Sequence, residues 1–219
     1  MINRIDISRL VLGFGSKKLA EVNHDFSGNK LIAIKGRNGA GKTTLLKTIC
    51  GLIPIHTGNI HINGEAISTL TPQQLAAKTA VVFTQRPVVS GLSVETVLEM
   101  GQLHSPLSPQ ERDENRHSIA TQFGISSLLQ SSVETLSDGE FQKMMIARAL
   151  LQDTPVILLD EPTAFLDYVA KEEIMHLLQE SAHTSHKLIL FSSHDLELAS
   201  RYADEIFDFD LIVASSKIA

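Results

Sequence analysis

The sequence has little of what marks an exported, membrane-embedded or disulfide-stabilised chain. A single cysteine, Cys50, among 219 residues cannot form an internal disulfide and suits a reducing compartment. No apolar run approaches the roughly 20 residues that cross a bilayer, and residues 1–6 lack the apolar segment of a secretory signal. These absences predict a soluble, cytosolic protein.

The sequence also has no excess of positively charged residues. The 19 Lys and Arg residues are scattered, 25 Asp and Glu outnumber them, and the net charge of −6 leaves no electrostatic footprint for nucleic acid. Hydrophobic residues make up 43% and charged residues 20%, which is ordinary for a globular protein and argues against disorder or a coiled coil. A chain of this length forms one domain, or one domain with an inserted subdomain.

Short apolar segments alternate with amphipathic segments along most of the chain. The apolar segments predict buried strands at 30–35, 80–83, 155–159 and 187–191, and the amphipathic segments predict helices at 42–50, 140–151 and 171–181. Alternating residues predict further strands around Ile5 and Ile7 and at 59–62, where Asn63-Gly64 indicates a hairpin. Strands that alternate with helices predict a largely parallel sheet covered on both faces, with ligands bound beyond the carboxyl ends of its strands.

The character of the sequence changes between about residues 86 and 136. Glycine and proline separate two amphipathic helical patches, 93–100 and 109–123, which indicates a helical insertion in the sheet framework. We therefore predict a single domain over residues 1–219, with a core built from 1–85 and 151–219 and a helical insertion over 86–150. No glycine-containing hairpin follows Asp204, so residues 211–219 are expected to be irregular.

Residues 36–43, Gly-Arg-Asn-Gly-Ala-Gly-Lys-Thr, match the P-loop pattern without deviation. The glycines allow backbone N–H groups to curl around an anion, and the helix that begins at Lys42 directs the positive end of its dipole to the same point. Lys42 is expected to reach the β- and γ-phosphates of a nucleotide, and the Thr43 hydroxyl to bind Mg²⁺. The predicted nucleotide-binding residues are Gly36, Asn38, Gly39, Ala40, Gly41, Lys42, Thr43 and Thr44.

Two carboxylates, Asp160 and Glu161, follow the buried strand at 155–159. Asp160 is expected to hold Mg²⁺ through its water shell, and Glu161 to polarise the attacking water as a general base. The ordinary alternative is a pair of solvated acids at a strand end, and the P-loop favours the catalytic interpretation.

A P-loop alone leaves GTPases, small-molecule kinases, helicases and transport ATPases open. A GTPase needs an Asn-Lys-x-Asp motif to read its base. The one Asn-Lys pair, Asn29-Lys30, is followed at the fourth position by Ile32, so the GTPase interpretation fails.

Four further stretches occur in order along residues 10–205. They are Gln85 at the end of the strand 81–83, Leu136-Ser137-Asp138-Gly139-Glu140 before a helix, Ala164-Phe165-Leu166-Asp167 after the two carboxylates, and His194 within Phe-Ser-Ser-His-Asp. Each is common by itself, as a loop residue, an N-cap or a surface histidine. In this order and spacing they resemble the Q-loop, signature, D-loop and switch histidine of the ATP-binding-cassette (ABC) ATPases.

The resemblance implies a fold and a site. The fold is α/β, a P-loop NTPase of the RecA-like kind with a mainly parallel sheet and flanking helices, an N-terminal antiparallel β subdomain and an inserted α-helical subdomain. The cofactors are ATP and Mg²⁺, and the ATP is sandwiched in an ATP-dependent head-to-tail homodimer. The roles implied for single residues are adenine stacking by Phe14, metal binding and catalysis by Gln85, catalysis by Glu161 and His194, a D-loop at Asp167, and contact with the partner's ATP by Ser137, Gly139 and Glu140.

The signature segment departs from the Leu-Ser-Gly-Gly-Gln that is usual in the family. Asp138 and Glu140 add two negative charges near a site for a polyanion, which should weaken binding unless their side chains point away. Since Ser137 and Gly139 are kept, we expect a working ATPase.

Segments 71–76, 81–85 and 92–101 resemble the ATPases of iron–siderophore, haem and cobalamin importers. This implies a cytoplasmic subunit, peripheral on the inner face of the cell membrane, that powers import through a separate integral membrane permease served by a substrate-binding protein. Two alternatives stay open: a soluble ABC ATPase of DNA repair or translation, and a catalytically weak module that uses ATP only to dimerise. The acidic balance argues against a nucleic-acid partner.

Overall fold

The computed structural model describes residues 2–14, 17–87 and 90–216. Its strands are β1 Arg4–Phe14, β2 Lys17–Ser27, β3 Leu31–Lys35, β4 Asn59–Ile62, β5 Glu65–Ala66, β6 Thr79–Val82, β7 Val156–Asp160, β8 Leu188–Ser193 and β9 Glu205–Asp208. Its α-helices are α1 Lys42–Ile49, α2 Pro72–Ala76, α3 Val94–Gly101, α4 Pro109–Gln122, α5 Asp138–Leu151, α6 Tyr168–Thr184, α7 Leu196–Tyr202 and α8 Phe209–Ser216. Within these ranges no helix combines the length and the apolar character that crossing a bilayer requires.

The central sheet has five parallel strands in the order β6-β7-β8-β3-β9. Successive side chains of a strand point to opposite faces, so a strand buried on both sides is apolar throughout. In β3, Leu31 and Ala33 join one core with the helices α3 to α7, while Ile32 and Ile34 join a second core with α1 and the antiparallel strands. The expected parallel sheet covered on both faces is confirmed.

The second sheet is antiparallel, in the order β2-β1-β4-β5. Ile5 and Ile7 of β1 face the second core, as their alternation with polar residues predicts. Asn63 and Gly64 have φ of 53° and 83° and connect β4 to β5, which is the two-residue turn that needs positive φ at both positions. The expected N-terminal antiparallel sheet and its hairpin are confirmed.

Helices α3 and α4 lie in the chain between β6 and β7, where the sequence predicts two helical patches. Ser93 caps α3 by accepting a hydrogen bond from the backbone N–H of Thr96, and Ser108 begins α4 with a reciprocal capping box to Glu111. Both helices pack on α5 through the first core, so this part of the chain is held to the sheet by apolar contacts.

The end of the chain differs from the expectation of an irregular segment at 211–219. The strand β9 leads directly into the helix α8, and residues 217–219 lie outside the described part of the chain. Phe209 is fully buried, and a Cβ placed on Gly41 would lie 3.3 Å from its Cε1 atom. Asp210 accepts hydrogen bonds from the backbone N–H of Arg37 at 3.0 Å and from its Nε at 3.3 Å. The helix forms because its first turn packs on the glycine-rich loop, a contact with no local sequence signal.

Replacing Phe209 with alanine tests this packing. We expect a loss of about 3–5 kcal/mol in the free energy of unfolding, because the large cavity left beneath the glycine-rich loop cannot collapse completely. Leu211→Ala on the same helix is the control, since Leu211 is 65% exposed and its loss should cost less than about 0.5 kcal/mol. Chemical denaturation of both variants measures the difference, and equal losses would contradict the packing role.

Candidate functional site

The glycine-rich loop lies between the carboxyl end of β3 and the first residue of α1. Gly39 and Gly41 have φ of 75° and 116°, a left-handed backbone that glycine adopts readily. The turns bring the loop and the start of α1 around a cavity of about 440 Å³. The residues that line this cavity are Leu19, Arg37, Asn38, Gly39, Gly41, Lys42, Thr43, Thr44, Thr84, Asp160 and Glu161.

Lys42 carries a buried positive charge in this cavity. Its side chain donates hydrogen bonds from Nζ to the carbonyl of Gly36 at 2.6 Å and to that of Arg37 at 3.3 Å. Its Nζ also lies 4.0 Å from Oε1 of Glu161. A buried ammonium group needs such partners, and Lys42 itself lines the cavity together with Arg37 and Glu161. The charge is therefore available to a polyanion in the cavity.

Asp160 is the centre of a hydrogen-bond network at the carboxyl end of β7. The Thr43 hydroxyl lies 2.9 Å from both carboxylate oxygens, and the Ser192 hydroxyl donates to Oδ1 at 2.7 Å. Thr84 donates to the Asp160 carbonyl at 2.9 Å. Thr43 and Asp160 offer hydroxyl and carboxylate oxygens, the donor chemistry that Mg²⁺ prefers.

Within the described residues, no group of three or more His, Cys, Asp and Glu side chains is placed to hold a metal ion. Mg²⁺ commonly binds through one or two protein groups together with phosphate oxygens. The pair Thr43 and Asp160 fits a metal ion of that kind, brought in with a nucleotide.

Glu161 occupies a strained backbone position beside Lys42. Its φ of 49° is unusual for a residue with a side chain, and such positions cluster at functional sites. Its backbone N–H donates to the Ser192 hydroxyl at 2.9 Å, which helps to hold this conformation. Nδ1 of His194 lies 2.9 Å from Oε2 of the Glu161 carboxylate. The structure therefore brings Lys42, Glu161 and His194 together at one edge of the sheet.

Ser192 and Thr84 are site residues to which the sequence analysis assigned no role. Ser192 faces Asp160 in the parallel register of β7 and β8, and it is fully buried. The order of the strands explains the role of Ser192. Strand β8 lies between β7 and β3, so its carboxyl end lies between Asp160 and the glycine-rich loop. A serine in an apolar strand would have indicated the position only if that order had been known.

The predicted residue Gln85 does not line this cavity. Gln85 is exposed and lines a different cavity, next to Lys47, Phe83 and Arg148, while its neighbour Thr84 contacts Asp160. Phe14 ends β1, but its side chain lies outside the described residues, so its predicted stacking on adenine stays a prediction.

The signature segment forms a second cavity with the D-loop. Ser137 caps α5, and Gly139 in the first turn lets the Phe165 carbonyl approach, because a Cβ there would lie 3.1 Å from that oxygen. Asp167 caps α6 by accepting a hydrogen bond from the backbone N–H of Ala170 at 2.8 Å. Ser137, Gly139 and Asp167 all line this cavity, which shares no lining residue with the cavity of the glycine-rich loop. The predicted residues thus form two separate surfaces on one chain.

The two acidic residues of the signature segment each have a local partner. Glu140 closes a capping box, in which its Oε2 accepts hydrogen bonds from the Ser137 backbone N–H at 2.8 Å and from the Ser137 hydroxyl at 2.7 Å. These bonds hold the pKa of Glu140 below its usual value. Asp138 forms an ion pair with Arg86 at 3.0 Å. Both negative charges are therefore partly compensated before any ligand is present.

The profile of the ABC transporter family matches residues 19–164, more than half of the chain. An uncharacterised ABC transporter ATP-binding protein of Methanocaldococcus jannaschii is 36% identical over 206 residues, which cover 90% of this chain and 70% of that protein. The hemin import ATP-binding protein HmuV of Idiomarina loihiensis is 33% identical over 208 residues, a match that covers 92% of this chain and 80% of that protein.

The solved structure of cbiO1 from Clostridium perfringens, part of the ABC transporter complex cbiONQ, has a TM-score of 0.80 at 26% identity. The match covers 93% of this chain and 83% of that one. The resemblance inferred from the order of the motifs is confirmed, and with it the P-loop NTPase fold. The chain belongs to the ABC transporter family, as one of its ATP-binding and ATP-hydrolysing subunits.

Proposed function

We propose that two copies of this chain bind two ATP molecules between them, head to tail, and that the cycle of binding and hydrolysis drives solute import through a membrane permease. The observation that carries the proposal is the separation of the site into two cavities. Lys42 and Asp160 line one cavity and Ser137 and Gly139 line the other, with no residue in common. Each chain then supplies half of each of two composite sites.

The cavity of the glycine-rich loop would hold the triphosphate. Lys42 would neutralise the β- and γ-phosphates, while Thr43 and Asp160 would hold the Mg²⁺ that neutralises the remaining charge. Glu161 would accept a proton from the attacking water, and His194, 2.9 Å from its carboxylate, would orient that group. Gln85 would join the metal only after its segment moves toward the cavity.

The second cavity would face the γ-phosphate bound by the partner chain. The N-terminus of α5 presents the positive end of the helix dipole, and its capping box takes up the N–H groups of Ser137 and Glu140 but not those of Asp138 and Gly139. The dipole and these two N–H groups would together attract a phosphate group. Ser137 and Gly139 lie at this end of the helix. Without ATP no such anion bridges the two chains, so dimerisation would depend on ATP.

The cavity around Gln85 would receive the permease. Its walls combine the apolar side chains of Phe83 and Met145 with the cations Lys47, Arg86 and Arg148, and none of the described residues that line it is acidic. Burial lowers the pKa of Arg148, and its Nε has no hydrogen-bond partner among the described residues. An amphipathic permease segment with a carboxylate would satisfy this charge. The helical insertion over residues 86–150 would supply one wall, and the subunit would lie on the cytoplasmic face of the membrane.

The transported solute would be an iron–siderophore, haem or cobalamin-type compound delivered by a substrate-binding protein. The similarity to a hemin import ATP-binding protein supports this class. The same family membership favours transport over a soluble ATPase of DNA repair or translation. A catalytically weak dimerisation module differs from a transport ATPase in its rate of hydrolysis, which can be measured directly.

Lys42→Ala and Glu161→Gln test the two steps separately. We expect both variants to lose at least about 100-fold in the rate of ATP hydrolysis, since one lacks the phosphate ligand and the other the general base. Sedimentation velocity with saturating ATP and Mg²⁺ should show a dimer for Glu161→Gln and a monomer for Lys42→Ala. Lys78→Ala is the control, because Lys78 pairs with Glu65 on the surface and should leave both readouts unchanged. Equal background rates for the wild type and Lys42→Ala would favour the dimerisation module.

Ser192→Ala tests the network that joins Asp160 and Glu161. Losing the hydroxyl removes one hydrogen bond to the Asp160 carboxylate and one from the Glu161 backbone, so we expect about a tenfold lower rate of ATP hydrolysis at saturating ATP. Ser193→Ala is the matched control on the same strand, because the Ser193 hydroxyl contacts the backbone of Asp195 instead. A rate for Ser192→Ala equal to that of the control would show that the network does not support catalysis.

A further inference from the structure

The position of Asp138 has opposite effects on the stability of α5 and on phosphate binding at its N-terminus. It is the first residue of α5, directly after the cap Ser137, and its side chain is 63% exposed in the second cavity. An acidic residue in the first turn stabilises a helix because it pairs with the positive end of the dipole. The same carboxylate competes with a phosphate group for that end of the helix and repels it. Asp138 therefore favours the fold of α5 and opposes the anion site that α5 would form.

Arg86 is held against this segment by four contacts. Its Nη1 donates to Oδ1 of Asp138 at 3.0 Å and to the carbonyl of Leu136 at 3.0 Å, and its Nη2 donates to the carbonyl of Val133 at 2.8 Å. Its guanidinium carbon lies 4.6 Å from the centroid of the Phe141 ring. An isolated ion pair on a surface contributes little. Here the contacts with two carbonyl groups and the Phe141 ring do not involve Asp138, so they hold the guanidinium group in place independently of the ion pair.

The sequence position of Arg86 connects this charge to another part of the site. It follows Gln85 in the chain, on the segment between β6 and α3, while the four contacts of its guanidinium group lie between residues 133 and 141. The guanidinium thus ties the Gln85 segment to the start of the signature helix.

We propose that Arg86 is a positioning residue that makes the acidic signature segment usable for ATP, by neutralising Asp138 at the N-terminus of α5. The inference rests on the proposed function, because it assumes that this N-terminus faces the partner's triphosphate. It explains how the chain carries aspartate next to Ser137 and keeps an anion-binding surface. With a neutral residue at position 138, this surface would carry no repelling charge. With aspartate there, the positive charge of Arg86 offsets the repulsion.

The test is a pair of single variants and their combination, with ATP hydrolysis by the full chain as the readout. We expect Arg86→Ala to raise the KM for ATP about fivefold, because one uncompensated charge then lies near the triphosphate in a partly solvated site. Asp138→Asn removes that charge with little change of shape. The double variant Arg86→Ala/Asp138→Asn should return to within about twofold of the wild-type KM, although it still lacks the contacts of Arg86 with the carbonyls and the ring.

Ionic strength separates an electrostatic role from a structural one. Salt screens the repulsion between an exposed carboxylate and a phosphate, so the KM defect of Arg86→Ala relative to the wild type should shrink as salt rises. Arg86→Lys, which keeps the charge, should show a smaller defect than Arg86→Ala. Arg4→Ala is the matched control, since Arg4 pairs with Asp25 at 2.8 Å on the antiparallel sheet and should leave the KM unchanged.

A double variant as impaired as Arg86→Ala, or a defect that salt does not reduce, would overturn the role of Arg86. An unchanged KM in Arg86→Ala would do the same, while the wild-type rate and the loss in Lys42→Ala would leave the proposed function intact. A wild-type chain that neither hydrolyses ATP nor dimerises with it would overturn both. Thermal unfolding of each variant confirms that the chains compared are folded.

Discussion

The hydrogen bonds to Asp160 hold the parts of the site together. Its carboxylate accepts from Thr43 in the first turn of α1 and from Ser192 at the end of β8, and its carbonyl accepts from Thr84 beyond β6. One residue therefore connects the ends of β7 and β8 with the segments that follow β3 and β6. The parallel order makes this possible, because the carboxyl ends of all these strands lie at the same edge of the sheet.

The same network accounts for the strained conformation of Glu161. A residue with positive φ costs about 1–3 kcal/mol and persists only where its surroundings hold it. Here Ser192 accepts from the Glu161 backbone, and His194 lies within hydrogen-bonding distance of its carboxylate. The strain directs the carboxylate toward Lys42, 4.0 Å from its ammonium group. The backbone geometry and the charge arrangement of the site thus depend on one buried hydroxyl.

Electrostatic compensation recurs at several charged groups near the two cavities. The Lys42 ammonium is held by loop carbonyls, Asp210 binds Arg37 beside the same loop, and Arg86 neutralises Asp138 at the signature helix. The Glu140 carboxylate accepts hydrogen bonds from the backbone N–H and the hydroxyl of Ser137. A chain with a net charge of −6 can bind a polyanion because Asp138 and Glu140 have local partners, while the Lys42 ammonium lines the cavity of the glycine-rich loop.

The sequence by itself determined the family, the parallel sheet and the residues of the glycine-rich loop. The sheet and the loop are local features, because a strand, a turn that needs glycine and a helix start follow one another along the chain. The family followed from the resemblance of several motifs, in their order along the chain, to those of the ABC ATPases. The helix α8, the role of Ser192 and the partner of Asp138 were decided by the tertiary structure. Phe209 is buried where the glycine-rich loop meets the second core, and Ser192 reaches Asp160 only because β8 lies beside β7. Arg86 and Asp138 are 52 positions apart, and no local pattern encodes a contact between residues so distant along the chain.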